Sequence, residues 1–180
     1  MPKHIENLRE ALVTEARRQV LESGYSAMTI RSVAKKCGVA VGTVYNYFES
    51  KDALTAEFML EDWQICRAEI EEQCENVHDD RSMLSVITES LEKFCREHEQ
   101  LFSDPDARSS YISVSSGKHT LFRDEIADMV AFFCKAVSPS SFTAKLVAEG
   151  IIMSIRERLT AEEIYPPLLT LIRNCDSQNE

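Results

Sequence analysis

The 180-residue chain is poor in the residues that interrupt regular structure, with five glycines and five prolines. Strand-like alternation of apolar and polar residues is also missing, and together these shortages point to an almost entirely helical protein. No apolar run approaches the ~20 residues that span a bilayer, and the opening MPKHIENLRE is charged where a secretory leader has an apolar core. These features place the protein in the cytoplasm, with no membrane partner. The six cysteines follow no paired spacing, so neither a zinc module nor a disulfide framework follows from them, and the plain reading is small buried thiols in a reducing compartment. Neither a Gly-rich phosphate loop, a nucleophile elbow nor a two-histidine metal helix occurs, so the chain is not expected to be an enzyme and no cofactor is called for. Basic charge is short overall, with a net −10. The deficit is uneven. Residues 1–60 carry eight Lys or Arg against seven Asp or Glu, whereas residues 61–180 carry twelve against twenty-three. The first third can therefore meet a polyanion that the rest would repel.

What is present is organised around TIRSVAKKCGVAVGTVYNYFESK, Thr29 to Lys51. Thr29 is a hydroxyl placed to cap a helix over Ile30 to Cys37. Ile30, Val33, Ala34 and Cys37 share one side of that helix by their three-and-four spacing. Gly38 ends it, because glycine takes a left-handed backbone without a steric penalty. A second helix over Val41 to Phe48 turns Val44 and Phe48 inward and leaves Val41, Gly42, Thr43, Tyr45, Asn46 and Tyr47 on its outer faces. A small residue at the crossing, a sharp turn and an apolar anchor are the requirements of a helix-turn-helix. Arg31 and Lys35 lie on the outward side of the first helix as candidate phosphate ligands.

The remaining chain reads as further helices. His4 to Ser23 precedes the motif, and a long helix from Lys51 to about Val77, capped by Ser50, leaves it. Segments 82–102, 107–113 (weak), 118–137, 142–158 and 161–174 follow, the last kinked or delayed by Pro166-Pro167. The expected organisation is a DNA-binding domain at 1–50 and a second helical domain at 51–180, with the helix 51–77 shared. Trp63, Phe94, Tyr111, Phe122, Met129, Phe133 and Met153 are candidates to line an apolar effector pocket, with His98, Arg156 and Glu149 as polar anchors. The last two helices are more apolar than one packing stripe requires. Leu146, Gly150, Ile151, Ser154, Ile155, Leu168, Leu169 and Ile172 are candidates for a two-fold dimer bundle, against the alternative of ordinary intrachain core.

The stretch GYSAMTIRSVAKKCGVAVGTVYNYFESKDAL resembles the DNA-binding region of tetracycline-repressor-type (TetR) transcriptional regulators. The likeness is close from Leu12 to Leu54, and a family profile is expected over about residues 6–66. It implies an all-α homodimer with an N-terminal three-helix DNA-binding unit and a larger helical domain that holds an inducer pocket, which makes 51–180 the effector-binding and dimerisation domain. By position, Thr29 matches the family's phosphate-meeting helix cap. Val41, Gly42, Thr43, Tyr45 and Asn46 match the recognition helix, and Tyr47 and Lys51 match phosphate contacts. The chemistry agrees: Asn pairs bidentately with adenine, Thr and apolar groups meet thymine methyls, and Tyr and Lys hold the backbone. Ala40 departs from the serine that many members carry, which removes a side-chain cap from the recognition helix. Gln19 and Val20 also depart from a bulkier apolar pair.

The expected function is a dimeric, sequence-specific regulator, a repressor released from double-stranded operator DNA by a small hydrophobic or amphipathic effector. Two variants of the same fold stay open. One is a metal sensor, since Cys74-x3-His78 and Cys95-x2-His98 have ligand spacing, although ~15 Å of helix between them opposes one shared site. The other is a thiol switch between Cys66 and Cys95. Outside this class stand a small helical enzyme and an adaptor that does not bind DNA.

Overall fold

A computed structural model describes residues 7–107, 118–134 and 142–176. Among the described residues the fold is all helical, with no strand. The helices are α1 (Leu8–Ser23), α2 (Ile30–Cys37), α3 (Val41–Tyr45), α4 (Lys51–Cys74), α5 (Asp80–Glu97), α6 (Glu99–Phe102), α7 (Lys118–Phe133), α8 (Phe142–Glu157) and α9 (Ala161–Asp176). The chain divides into two compact units. Unit 1 comprises Met1–Ile65 and Phe94–Ser115, and unit 2 comprises Cys66–Lys93 and Ser116–Glu180. The unit that contains the helix-turn-helix thus takes in α6 and the end of α5, beyond the first fifty residues.

Unit 1 is built on α1, whose Leu12, Val13, Ala16 and Val20 are buried at helical spacing. Gly24 ends that helix at φ 86°, and its N–H reaches the Val20 carbonyl at 2.9 Å. The expected start of α1 at His4 lies outside the described residues. In α2 the cap is reciprocal. Ser32 N–H donates to Thr29 Oγ1 at 3.0 Å, and Thr29 N–H donates to Ser32 Oγ at 3.1 Å. Two of the orphan amide donors at the helix start are satisfied this way. Gly38 sits at φ 70° with open space where a Cβ would stand, so conformation rather than crowding selects glycine there. The recognition helix α3 is shorter than the expected Val41–Phe48. After Tyr45 the chain tightens into turns, with Tyr47 N–H on the Val44 carbonyl at 2.9 Å. Val44 and Phe48 are buried as the pattern required.

Helix α4 begins where Ser50 Oγ accepts the Ala53 N–H at 3.0 Å. It stops at Cys74 rather than Val77 because Asp79 starts the next helix early, its Oδ1 accepting the Ser82 N–H at 3.0 Å. The segment read as one helix over 82–102 is broken at His98, whose backbone leaves helical geometry at φ −105°, ψ 19°. The break has a cause in the side chain. His98 is 3% exposed, with Nδ1 2.8 Å from the Phe94 carbonyl and Nε2 2.9 Å from Asp62 Oδ2.

In unit 2, α8 packs against both α7 and α9. Helix α9 starts at Ala161 and runs through Pro166 and Pro167 without the expected delay. Both prolines are exposed, so the Glu162 and Glu163 carbonyls that lose their donors can turn to water. Ile164, Tyr165, Leu168, Leu169 and Ile172 anchor the opposite face. At the α8–α9 crossing a Cβ on Gly150 would lie 2.7 Å from Leu168 Cδ2. The glycine is there for close approach. The expected ends of α7 at Val137 and of the weak segment 107–113 lie outside the described residues.

Candidate nucleic-acid interface

The outward residues of α2 and α3 form one polar and aromatic face around a buried anchor. Val44 is fully buried, while Tyr45 and Tyr47 are 53% and 47% exposed, and Asn46 beside them is exposed as well. Two large aromatics in water beside an amide are unexplained by packing and suit contact with base edges and phosphates. Gly42 is exposed, with nothing within 4 Å of a hypothetical Cβ, so a duplex can approach the helix backbone. Val41 and Thr43 are half-buried at the edges of the face. Arg31 and Lys35 are exposed on α2, and Lys35 and Lys36 also sit favourably at the negative end of that helix. Thr29 is exposed, but its hydroxyl is engaged by Ser32. As the sequence indicates, no side-chain cap supports α3 at Ala40.

Lys51 is held rather than free. Its Nζ lies 3.7 Å over the Tyr25 ring, and the Tyr25 hydroxyl donates to Asp52 at the start of the same helix. Burial pushes the Lys51 ammonium below its usual range, and Asp104, Asp52 and Asp106 pull in the opposite direction. Tyr25 is therefore a platform for this cation, a role that its position in a connector does not reveal. On the other side of the connector, Ser26 N–H and Ser26 Oγ donate to Asp104 Oδ2 at 2.9 and 2.7 Å.

A second framework sets the angle of α1. Arg9 pairs with Glu57 at 2.6 Å and lies over the Phe48 ring, and Arg17 reaches Glu61 at 2.7 Å and Asp62 at 2.9 Å. Asp62 also holds His98. The sequence pattern missed this network because its partners are 36 to 48 positions apart.

The pocket candidates divide between the units. In unit 1, Trp63 meets Phe94 edge-on at 5.7 Å and Phe94 lies 4.4 Å from the His98 ring, all three buried. In unit 2, Met129 and Phe133 are buried and Met153 is exposed. Tyr111 and the Phe122 side chain lie outside the described residues. Of the polar anchors, Arg156 and Glu149 are exposed and pair with Glu157 and Arg123, each at 2.9 Å. Of the dimer candidates, Ile151, Ser154, Leu168, Leu169 and Ile172 are buried within unit 2, Gly150 and Ile155 are half-buried, and Leu146 is exposed. Burial raises the Cys74 thiol, and burial with Asp80 and Cys74 nearby pushes Cys134 up to about 12, which keeps both from the reactive thiolate form. Cys66 falls in unit 2 and Cys95 in unit 1.

Comparison with known proteins places this geometry beside five matches. The sequence profile described as "Bacterial regulatory proteins, tetR family" matches residues 12–58. The HTH-type transcriptional regulator UidR of Escherichia coli K12 is 29% identical over 87 residues, 48% of this chain and 44% of UidR, so the match spans less than half of that relative. An uncharacterized HTH-type transcriptional regulator of Haemophilus influenzae is 24% identical over 153 residues, 82% of this chain and 73% of that one. Among solved structures the fold is similar to that of the regulator FadR from Bacillus subtilis in complex with stearoyl-CoA, with TM-score 0.57, 17% identity and 94% of each chain covered. A protein of unknown function from Rhodococcus sp. RHA1 gives TM-score 0.59 at 17% identity, over 99% of this chain and 96% of that one.

Proposed function

We propose that this chain, a member of the tetR family of bacterial regulatory proteins by the profile match over residues 12–58, is a DNA-binding transcriptional regulator: a cytoplasmic, homodimeric repressor released from its operator by an amphipathic small molecule. The observation that carries the reading is the face around Val44. A buried anchor with Tyr45, Asn46 and Tyr47 turned to solvent is a surface arranged for a major groove. Val41, Gly42, Thr43, Tyr45 and Asn46 read bases. Thr29, Arg31, Lys35, Tyr47 and Lys51 hold phosphates. Residues 1–50 act as the DNA-binding domain and 51–180 as the effector-binding and dimerisation domain, joined through α4.

Dimerisation is supported by an exposed apolar stripe on α8. Phe142, Leu146 and Met153 fall on one helical face and are 76%, 39% and 43% exposed. A second copy covers that stripe, and the two α3 helices then enter successive major grooves about one helical turn apart. An amphipathic effector is supported by the acyl-CoA bound in the FadR structure of the same fold and by the buried Met129 and Phe133 of unit 2. Effector binding shifts the dimer between DNA-competent and incompetent populations through α4.

Sequencing the genomic DNA fragments that the purified protein selects tests the reading directly. Enrichment of a two-fold symmetric site is expected. Recovery of no preferred sequence would count against a sequence-specific repressor. A thermal-shift series over acyl-CoA chain lengths tests the effector class, and the absence of any rise in Tm would remove it.

A further inference from the structure

The Asp104–Asp106 turn lies beside the phosphate-contacting side of unit 1, although it is more than fifty residues from Lys51 in sequence. Ser26 Oγ carries a single proton. It goes to Asp104 Oδ2 at 2.7 Å, with Asp106 Oδ2 as an alternative acceptor at 3.1 Å. Two carboxylates therefore converge on one hydroxyl, which like-charge repulsion would oppose without compensation. The compensation is visible. Backbone N–H groups of Ser26, Asp106 and Ala107 donate to Asp104 at 2.9, 2.9 and 3.1 Å. The residue before Ser26 is Tyr25, whose ring carries Lys51 Nζ at 3.7 Å, so the clasp brings both carboxylates to the neighbourhood of that ammonium, where with Asp52 they favour its charged form without a direct ion pair among the described residues. A charge meant for DNA phosphate is thus partly answered from inside the protein.

We propose that the Asp104–Asp106 turn is an intramolecular brake on DNA binding. It clasps the α1–α2 connector through Ser26 and sets two carboxylates where they compete with a phosphate for Lys51. The proposal rests on the reading of Lys51 as a phosphate ligand. Because the turn follows directly on α6, a small displacement of it changes the charge facing the duplex while leaving the recognition helix untouched. Affinity can then be graded without altering sequence preference.

Asp106→Asn is the informative variant, because Asp106 is exposed and its described hydrogen bonds do not include the backbone-capping ones that Asp104 accepts. Binding of the full-length protein to a fluorescein-labelled random-sequence duplex is followed by anisotropy across a salt series, for wild type, Asp106→Asn, Lys51→Met and the double variant. The expected result is roughly three- to ten-fold tighter binding by Asp106→Asn at low ionic strength, shrinking as salt is added, with unchanged Tm. In the Lys51→Met background the same substitution should produce little gain. Unchanged or weaker binding by Asp106→Asn would overturn the brake, as would an equal gain with and without Lys51. Wild-type protein that binds no duplex, or Lys51→Met that binds as tightly as wild type, would instead remove the phosphate role underneath it.

Discussion

At the scale of single residues, two kinds of contact separate by what they change. The proposed role of Lys51 is to hold a phosphate, and phosphate contacts carry no sequence information. Lys51→Ala should weaken binding to all duplexes alike and lower the salt slope by about 0.9, the equivalent of one released counterion. An unchanged slope in a salt titration would contradict the role. Asn46 is exposed at the end of α3, and its proposed role is to meet a base edge. Asn46→Ala should relax discrimination at one base position by about 1–3 kcal/mol, read by comparing single-base operator variants. Asp104 makes a pH prediction. Burial tends to raise its pKa, but hydrogen bonds from Ser26, Ala107 and Asp106 outweigh it and hold the carboxylate below its ordinary range. A depressed acid stabilises the fold at pH values above its unfolded pKa and loses that contribution as pH falls through the folded value. The stability advantage of wild type over Asp104→Asn should therefore be constant above about pH 4 and narrow below it, as followed by urea denaturation at stepped pH. An advantage that stays the same however far the pH is lowered below about 4 would refute the assignment.

At the scale of elements, boundaries are set by side chains that reach out of their own helix. Helix α4 ends early because Asp79 caps α5, and α5 breaks where His98 is held by Asp62 and the Phe94 carbonyl. The α8–α9 crossing shows a conflict of two effects of similar size. Alanine in place of Gly150 gains roughly 1 kcal/mol of helix propensity. Its Cβ would also stand 2.7 Å from Leu168 Cδ2, and overpacking a buried leucine costs about 1–3 kcal/mol. Gly150→Ala should therefore leave Tm unchanged or lower it, contrary to the propensity gain. A clear rise in thermal denaturation would mean that Leu168 moves aside freely. The helix-turn-helix was legible from sequence because its determinants are local: the Thr29 cap, the Gly38 stop and the Val44 anchor lie within sixteen positions. The shorter α3 was less legible, since a run of apolar and aromatic residues does not mark where a helix tightens into turns.

At the scale of the whole molecule, the acidic balance and the proposed DNA-binding role are compatible because the acidity is segregated beyond residue 60. The last two helices carry more apolar surface than unit 2 buries. Phe142, Leu146 and Met153 remain exposed, while Ile151, Leu168 and Ile172 go inside. For the proposed homodimer, substituting Leu146 and Met153 with Glu should yield a folded monomer with weak operator affinity, measured by light scattering and anisotropy. Ile151→Ala should instead destabilise the fold by about 2–5 kcal/mol without first altering the oligomeric state. A Leu146/Met153 variant that remains a dimer would place the interface elsewhere.

The sequence alone determined the helical class, the helix-turn-helix with its outward residues, and the segregation of charge, because each depends on short-range spacing and composition. Tertiary structure decided what those residues lean on. The Tyr25 platform under Lys51, the Asp104 clasp on Ser26, the Asp62–His98 bridge and the sorting of apolar residues into core and exposed stripe all join positions far apart in the chain. Such pairings leave no periodic signal in one sequence, because they are set by which helix faces meet when each buries its apolar side.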